Sequence, residues 1–452
     1  MDLSLASYAI EDPDRIITPA LLIYPELVDS NIKATLRMLG NDANRWRPHI
    51  KTAKLTATLQ QLIENGIQSF KCSTTLELLT ACKAGARDVL LAYSVMGANA
   101  RRTIEIANQF PSTRVSVLIE TVDQAAIWTG SGIGVFLDIN SGMNRTGMNP
   151  DRVREIIALA RRLGGQFRGV HYYDGHVSGF EISERKARAH EGYEQLLKIV
   201  NALQEQKIKV GEVITSGTPA APFALSFEGF RNASFVHRVS PGTVVYNDTT
   251  SLDQLPDYGY QPAAIVLSTV VSRPASNYMT CDAGHKSVSA DAGIPTCSVI
   301  GHPQLRPSKP SEEHLPLECL PGGRAPNIGD KIYLVPRHVC PTVNNFDEAL
   351  LVIKGRVRGI EPVSARGHES PLAQGANWLS LTTPLEGEIR HTGMMSESRP
   401  VTELKEVDGR EGDEEPGILD PNDSNLLRDQ IKGQTTEHAT PPRLEDEGQS
   451  GG

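Results

Sequence analysis

The sequence predicts an α/β protein in which a (β/α)8 barrel is followed by a smaller, mostly antiparallel β domain and a disordered acidic tail. Between residues 18 and 250, eight short apolar runs alternate with helix-like segments. After residue 246 the runs are separated by proline, glycine and aspartate, and after Trp378 no aromatic residue remains. These changes place the predicted domains at 15–250, 251–370 and 371–452.

The predicted barrel strands are mostly continuous apolar runs, which is typical of parallel strands buried on both faces. Segments with apolar residues at helical spacing separate them. A doubly wound open sheet is the alternative, but no Gly-x-Gly-x-x-Gly follows the first run. The eight runs are 21–24, 46–50, 69–72, 89–93, 115–120, 134–139, 167–172 and 213–217.

The remaining chain is predicted from its composition and from shorter runs. Runs at 265–273, 278–282, 331–335 and 350–357 indicate antiparallel strands. From about residue 385 the chain is rich in Glu, Asp, Gly, Pro and Thr, a composition typical of disorder.

Charge and composition exclude several classes of protein. Residues 397–452 hold 15 acidic and 6 basic side chains, which account for the whole net charge of −9 and leave residues 1–396 neutral. A basic nucleic-acid surface is therefore not expected. The chain has no apolar run of about 18 residues and no secretory-signal pattern at its start. Its six cysteines lack regular spacing, so we expect a cytoplasmic protein without a disulfide framework and without a membrane partner.

Polar clusters follow several of the predicted barrel strands, at the end where barrel chemistry is expected. Lys51 and Lys54 follow the second run; a lysine in the barrel mouth can form a Schiff base, although two neighbouring lysines are more often solvated. Arg145 lies in a loop after the sixth run that is equally well explained as a polar connection. His171 lies in the seventh run and His176 follows it. The two histidines are candidates for acid–base groups, for metal ligands or for stacking partners of a cofactor.

Two segments after the eighth run, 215–219 and 240–248, combine small hydroxyl residues with glycine. Such segments expose backbone N–H groups to an anion, and phosphate sites in barrels commonly form near strands seven and eight. A lysine at one side of the mouth and a phosphate site at the other indicate pyridoxal phosphate.

A candidate metal pair lies in the predicted β domain, in the sequence Pro-Arg-His-Val-Cys-Pro. The flanking prolines predict an extended strand, in which His338 and Cys340 share one face. Thiolate and imidazole ligands favour Zn over Mg or Ca, and two ligands suit a catalytic ion with open positions. A buried cysteine beside a surface histidine is the alternative explanation of the spacing.

Taken together and in order, these motifs resemble the D-threonine aldolase and D-serine dehydratase family of pyridoxal-phosphate enzymes. The resemblance covers residues 15–370 and implies an alanine-racemase-like barrel of PLP fold type III, a D-serine dehydratase-like β domain and a homodimer whose metal pair lies across a subunit interface. It rests on RPHIKTAK, DINSGMNRTG, YYDGH, SGTP, SPGTVVYND, DAGHKS, SEEH and PRHVCPTVN.

The resemblance also implies a role for each matching residue. Lys51 would bind the cofactor covalently and act as the base at Cα, and Arg145 would contact the ring hydroxyl of the cofactor. His338 and Cys340 would bind the metal, and His176 is the candidate for a second base. The phosphate would be held by Ser216, Gly217, Thr218 and Tyr246.

The implied activity is that of a lyase acting on D-amino acids with a 3-hydroxyl group. We expect dehydration of D-serine-type substrates to a 2-oxo acid and ammonia, because the His-x-Cys pair resembles the dehydratase form of the site. Retro-aldol cleavage to glycine and an aldehyde is the main alternative; an amino-acid racemase and a non-catalytic cofactor carrier are less favoured. The sequence departs from the family pattern at Ala53, where histidine is usual, and at Val244, where tyrosine is usual.

Overall fold

A computed structural model describes residues 4–371 of the chain. The predicted acidic tail therefore lies outside the described residues, apart from its first position. The strands are β1 (Ala20–Ile23), β2 (Ser69–Cys72), β3 (Asp88–Leu91), β4 (Arg114–Ile119), β5 (Gly134–Asp138), β6 (Phe167–Tyr172), β7 (Glu212–Thr215), β8 (Val236–Val239), β9 (Ala264–Ala275), β10 (Tyr278–Cys281), β11 (Cys297–Val299), β12 (Leu305–Pro307), β13 (Leu315–Cys319), β14 (Lys331–Pro336), β15 (Glu348–Ile353) and β16 (Arg356–Pro362).

Helices follow most of the barrel strands, and the longest lies between β6 and β7. The helices are α1 (Pro25–Met38), α2 (Thr56–Glu64), α3 (Thr75–Ala84), α4 (Gly97–Gln109), α5 (Val122–Trp128), α6 (Val153–Leu163), α7 (Ile182–Glu205), α8 (Ala221–Ser226), α9 (Thr249–Gln254) and α10 (Val339–Asn344). In the described part of the chain, none of them is long and apolar enough to cross a membrane.

The predicted barrel is confirmed. Strands β2 to β8 pair in parallel and in chain order. The segment 46–50 closes the ring, because Trp46 makes a parallel bridge to Val239 of β8 and His49 makes one to Lys71 of β2. The segment 46–50 is therefore the first barrel strand in position, although its pairing is limited to single bridges.

Two details of the predicted barrel are wrong. The run 21–24 is strand β1, which lies outside the barrel between β9 and β15, where both of its faces are buried. The eighth barrel strand is instead β8, whose sequence Val-His-Arg-Val is not a continuous apolar run. Its polar side chains are accommodated because Arg238 pairs with Glu212 inside the barrel and His237 packs on Phe230.

The barrel interior is layered along its axis. At the amino ends of the strands, a buried ion network joins Arg47 to Glu212 (2.8 Å) and to Asp88 (3.0 Å), and Asp88 to Arg168 (2.8 Å). An apolar layer follows, formed by Leu90, Leu118, Phe136 and Ile214. Polar side chains return at the carboxyl ends of the strands, which is the end where barrel enzymes place their active sites.

The second sheet is the predicted β domain, and its pairing is mostly antiparallel. The strand order is β12-β13-β10-β9-β1-β15-β16, with β14 pairing with β9 and β11. The parallel pair in this sheet is β1 with β15. The N-terminal segment therefore contributes an inner strand to this sheet.

The extended strand predicted around His338 and Cys340 is wrong. His338 is the N-terminal cap of helix α10, and Cys340 lies in the first turn of that helix. Pro341 does not prevent the helix, because the backbone N–H groups of a first helical turn have no partner within the helix. His338 and Cys340 therefore belong to a helix start rather than to one face of a strand.

Candidate active site

Lys51 lies just beyond the first barrel strand, and its side chain is exposed. Its backbone N–H donates to Nδ1 of His49 at 3.2 Å. Burial, followed by the charges of Lys51 and Lys71, holds the pKa of His49 well below its usual value. His49 is therefore a neutral imidazole, and it fixes the backbone from which Lys51 extends.

Lys54 is turned into the protein instead. Its ammonium pairs with Glu77 at 3.0 Å and donates to the carbonyl of Ala365 at 3.0 Å. Lys54 thus ties the barrel to the chain that follows β16, a structural role. Ala53 between them is fully buried.

Sequence reasoning did not single out a second lysine of the mouth, Lys71 on β2. Its Nζ lies 3.3 Å from Nε2 of His171, and Nδ1 of His171 lies 2.7 Å from a carboxylate oxygen of Asp138. Burial, followed by the charge of Lys51, lowers the pKa of Lys71 to about 7. A lysine inside the apolar run 69–72 was the available sequence signal.

The loop that carries Arg145 is held in place by its own polar side chains. Thr146 donates to Asp138 at 2.7 Å, and the side-chain oxygen of Asn140 accepts two later backbone N–H groups at 3.0 and 3.1 Å. The guanidinium of Arg145 stacks over the ring of Tyr173, 4.6 Å from its centroid. This arrangement fixes the Arg145 cation beside Lys71 and His171. Burial is the main cause that lowers the pKa of both residues, and the charge of Arg145 lowers each of them further.

His176 lies beside a small cavity of about 190 Å³ that Ser141 and Phe180 also line. Its Nδ1 is buried and has no hydrogen-bond partner among the described residues. Burial lowers the pKa of His176, so the ring is neutral near pH 7 and can accept a proton. This geometry is compatible with the predicted role of His176 as a second base, which stays a prediction.

Three buried polar residues, called the polar cluster here, follow β7 and β8: Ser216 and Ser240 come directly after these paired strands, and Asn247 lies seven residues after Ser240. Within the described residues, the hydroxyls of both serines and both amide atoms of Asn247 lack a hydrogen-bond partner. Ser216 has a left-handed backbone, with φ of 54°. Buried polar groups without partners are costly, and the two hydroxyls and the Asn247 amide nitrogen are donors, so together they indicate a ligand that supplies acceptors.

Two glycines in the same segments allow close approaches to neighbouring parts of the barrel mouth. A Cβ on Gly217 would lie 3.1 Å from the ring of Tyr173, and one on Gly242 would lie 2.2 Å from the carbonyl oxygen of His49. Thr218 is buried beside Gly217. The cluster and these close approaches fit the phosphate of pyridoxal phosphate, and Lys51 fits its aldehyde.

Tyr246, which the resemblance assigned to the phosphate, is completely buried in the main core. Its hydroxyl makes a hydrogen bond of 2.7 Å with the hydroxyl of Thr58 on α2. The structure thus gives the Tyr246 hydroxyl a protein partner, whereas the neighbouring Asn247 side chain has none among the described residues.

The predicted metal pair reaches the barrel mouth. The sulfur of Cys340 lies 2.9 Å from the hydroxyl of Thr52 and 3.7 Å from that of Thr243. Burial alone would raise the pKa of Cys340, but the hydrogen bond from His338 and the charge of Lys51 outweigh it and lower the pKa. A thiol with this tendency to ionise suits a metal such as zinc.

Asp291 holds the imidazole of His338. The His338 Nδ1–H donates to the Asp291 carboxylate at 2.6 Å, so the hydrogen bond to Cys340 comes from Nε2, whose proton a bound metal would replace. Among residues 4–371, no group of three or more His, Cys, Asp and Glu side chains is arranged to hold a metal. The described residues therefore offer two donors, a thiol and an imidazole, which fit zinc but do not form a closed structural site.

The resemblance implied that the metal pair would lie across a subunit interface. Within one chain, however, Cys340 already contacts Thr52, the neighbour of Lys51. The pair thus reaches the mouth of its own barrel, because β14 and α10 carry it there from the second sheet. The homodimer and the place of the metal pair at its interface both stay predictions.

Comparison with known proteins gives matches to two family models. The model of the alanine racemase N-terminal domain matches residues 23–250, and that of the serine dehydratase domain matches residues 263–352. Together they cover most of the described chain and follow the same order as the barrel and the second sheet.

Individual relatives match over almost their whole length. The chain is 28% identical over 381 residues to a D-threonine aldolase of Arthrobacter sp, covering 78% of this chain and 93% of that protein. It is 27% identical over 385 residues to a 3-hydroxy-D-aspartate aldolase of Paracoccus denitrificans (strain Pd 1222), covering 79% and 94%.

Two solved structures have the same fold. The D-threonine aldolase from Filomicrobium marinum superposes with a TM-score of 0.70 at 27% identity, covering 78% of this chain and 96% of that one. The D-threo-3-hydroxyaspartate dehydratase from Delftia sp. HT23 superposes with a TM-score of 0.67 at 21% identity, covering 81% and 100%.

Proposed function

Because the chain belongs to the family of pyridoxal-phosphate lyases that join an alanine-racemase-like N-terminal domain to a serine dehydratase domain, we propose that it acts on D-amino acids with a hydroxyl group on Cβ. The proposed reaction is dehydration and deamination: the substrate loses water and, after hydrolysis, yields a 2-oxo acid and ammonia. Pyridoxal phosphate and a divalent metal, zinc, are the proposed cofactors.

One observation carries this proposal. The Cys340 sulfur contacts the hydroxyl of Thr52, the residue next to Lys51 in the chain. An amine that can remove a proton from Cα and a thiol–imidazole pair that can hold a metal therefore meet at one barrel mouth. Loss of a β-hydroxyl requires both, because the hydroxyl is a poor leaving group unless an acid assists it.

When bound, pyridoxal phosphate supplies an electron sink for the charge that develops at Cα, and the metal supplies a Lewis acid. The protein positions them. Lys51 would bind the cofactor aldehyde and, once released by the substrate amine, accept the α-proton at its Nζ. His338 and Cys340 would hold the metal, while Asp291 fixes the ring orientation of His338.

Orientation of the cofactor would come from the opposite side of the mouth. The unpaired side chains of Ser216, Ser240 and Asn247 would donate to the phosphate, and the backbone after Ser216 would cradle it. Arg145, fixed over Tyr173, would face the ring hydroxyl. These groups hold the reacting bond in one place, which is the larger part of what a protein adds to this chemistry.

Retro-aldol cleavage is the second candidate, because both curated relatives described above are named aldolases. In that reaction a base takes the proton of the β-hydroxyl, and the bond between Cα and Cβ breaks to give glycine and an aldehyde. His176, whose Nδ1 has no partner among the described residues, is the proposed base. The thiol of Cys340 favours the first candidate, since a soft ligand suits zinc and activation of a leaving group.

Product analysis by NMR separates the two candidates. The purified chain, loaded with pyridoxal phosphate and Zn²⁺, is incubated separately with D-serine and D-threonine, and the L-enantiomers serve as controls. Pyruvate or 2-oxobutyrate with ammonia supports dehydration, whereas glycine with acetaldehyde from D-threonine supports the aldolase. Formation of the L-enantiomer alone, detected by chiral chromatography of the same samples, indicates a racemase, and no product from either substrate contradicts both candidates.

A further inference from the structure

Lys71 is an unusually placed lysine. Its neighbours on β2, Phe70 and Cys72, belong to the main core outside the barrel, and Lys71 itself points to His171 across the barrel interior. Only 2% of the residue is exposed, and no carboxylate of the described residues forms an ion pair with it. Buried lysines are almost always paired, so an unpaired one calls for a function.

The polar partner of Lys71 cannot neutralise its charge. The carboxylate of Asp138 accepts a hydrogen bond from Nδ1 of His171, so Nε2 carries no proton and accepts from Lys71. Burial, followed by the charge of Lys71, lowers the pKa of His171, although its bond to Asp138 opposes this shift. His171 therefore holds Lys71 in place as a neutral acceptor.

The groups that face Lys71 come from four different parts of the barrel mouth. Burial and the charges of Lys51 and Arg145 lower the pKa of Lys71 to about 7, and the carboxylates of Asp138 and Asp174 oppose this shift. Near pH 7 the amine is therefore present both with and without its third proton. Such a group can accept a proton and give it back, whereas an ordinary lysine cannot.

Lys71 is also close to the predicted cofactor lysine through the backbone. Its carbonyl accepts the N–H of Ile50 at 2.8 Å, and its own N–H donates to the carbonyl of Pro48 at 2.9 Å. Lys51 is the next residue after this paired segment. The bridge between these two segments places His49 opposite Lys71, so Lys51 lies two residues farther toward the mouth of the barrel. The charge of Lys51 still lowers the pKa of Lys71, second only to burial.

We propose that Lys71 is a positioning residue that exchanges a proton with Lys51. When Lys51 must be a free amine, to bind the cofactor aldehyde or to take the α-proton, its ammonium gives one proton to the neutral amine of Lys71. The balance is one ammonium and one amine before and after the transfer, and no other reactant is needed. This inference deepens the proposed function and rests on Lys51 being the cofactor lysine.

The first test measures how fast the cofactor binds, not the lyase reaction. Full-length chain purified without cofactor is mixed with pyridoxal phosphate, and the visible absorbance of the lysine-bound cofactor is followed by stopped flow from pH 6 to 9.5. Lys71→Met and Lys71→Arg are compared with wild type, and Lys33→Met, which removes an exposed lysine on α1, is the matched control.

We expect the wild-type rate to show an inflection near pH 7 and both Lys71 variants to lose it. At pH 7 they should bind the cofactor about 10²-fold more slowly, because neither methionine nor arginine can accept the proton. Lys33→Met should behave as wild type. Rates within twofold of wild type, with the inflection retained, would overturn the inference.

The second test separates this role from a structural one. The folded-state pKa of Lys71 lies below the unfolded value of 10.5, so wild type loses stability as the pH falls from 10 to 7. The Tm of Lys71→Met minus the Tm of wild type should therefore be larger at pH 6 than at pH 9.5. A structural lysine would give a pH-independent loss in Tm, and that result would contradict the inference.

Failure of this inference and failure of the proposed function give different results. If product analysis shows no lyase activity but cofactor binding depends on Lys71 as described, the proton exchange with Lys51 stands and the reaction is wrong. If lyase products form but Lys71→Met binds the cofactor normally, the reaction stands and the role of Lys71 is wrong.

Discussion

The sulfur of Cys340 lies 2.9 Å from the hydroxyl of Thr52, and Thr52 directly follows Lys51. Two residues nearly 300 positions apart in the chain are thus joined, one from the barrel and one from the helix that follows β14. The contact places the thiol where the positive charge of Lys51 helps to lower its pKa, against the effect of burial.

Replacement of Cys340 by alanine should reduce metal content while leaving cofactor binding intact. The change removes the thiolate ligand, but it leaves Lys51 and the polar cluster untouched. We expect at least a tenfold loss in zinc affinity, measured by titration with a zinc indicator, and a parallel loss of turnover. Cys82→Ala, which removes a buried thiol from α3, is the control and should keep both. Full zinc content in Cys340→Ala would contradict the metal role.

Replacement of Lys51 by alanine should abolish the visible absorbance of lysine-bound pyridoxal phosphate. The amine that is exposed at the mouth is lost, whereas Lys54, paired with Glu77, is not available to replace it. The absorbance spectrum of the purified variant after incubation with the cofactor provides the measurement. A retained band would show that another amine, Lys71 first among them, holds the cofactor.

Replacement of Ser216 by alanine should weaken binding of pyridoxal phosphate but not of pyridoxal, which has no phosphate. A hydrogen bond to a charged group contributes about 1.5 to 3 kcal/mol, so the expected loss in affinity is roughly 10- to 100-fold. Ser226→Ala, which removes a hydroxyl that bonds to a carbonyl within α8, is the control. Equal losses for both ligands would place the phosphate elsewhere.

The sequence predicts the barrel well, because parallel strands buried on both faces appear as continuous apolar runs. The same property explains the error at residues 21–24, since an inner strand of the second sheet has an identical pattern. The eighth strand is missed because Arg238 and His237 interrupt it. A run of residues shows that a strand is buried, but it does not show which sheet the strand joins.

The candidate site is predicted only in part, for a related reason. Lys51, Arg145 and the serine segment follow strand ends, where a function is expected. Lys71 lies within a strand, and its burial against His171 without an ion pair among the described residues is visible only once the barrel closes. Asp291 lies 47 positions from its partner His338 in a loop of the second sheet, and no spacing rule links them.

The ion network at the amino ends of the barrel strands should make a large contribution to stability. Arg47 is completely buried between Glu212 and Asp88, so Arg47→Met removes the buried cation that the two carboxylates share and leaves them to Arg168 and Arg238. We expect the free energy of unfolding to fall by about 3 to 5 kcal/mol. Urea unfolding followed by the fluorescence of the adjacent Trp46 is the measurement. Arg356→Met breaks an exposed pair with Glu11 and is the control, so it should change the free energy of unfolding little. A similar loss of stability in both variants would contradict this account.

Asp174 should make the fold less stable at neutral pH than at mildly acidic pH. Burial raises its pKa from 3.8 to about 6, although the hydroxyl of Tyr193 donates to it. A folded-state pKa above the unfolded value means that stability falls as the pH rises from about 3.8 to about 6 and is level above that, and the full penalty is about 3 kcal/mol.

The variant Asp174→Asn keeps an oxygen acceptor for Tyr193 but carries no charge to desolvate. Its Tm should therefore exceed that of wild type at pH 7.5, and the difference should shrink towards zero at pH 4.5, where the wild-type carboxyl is largely protonated. Differential scanning fluorimetry at both pH values measures the effect. Glu228→Gln, which removes an exposed carboxylate paired with Arg231, is the control and should show no such pH dependence. A Tm of Asp174→Asn below wild type at both pH values would mean that the charge itself is required by the fold.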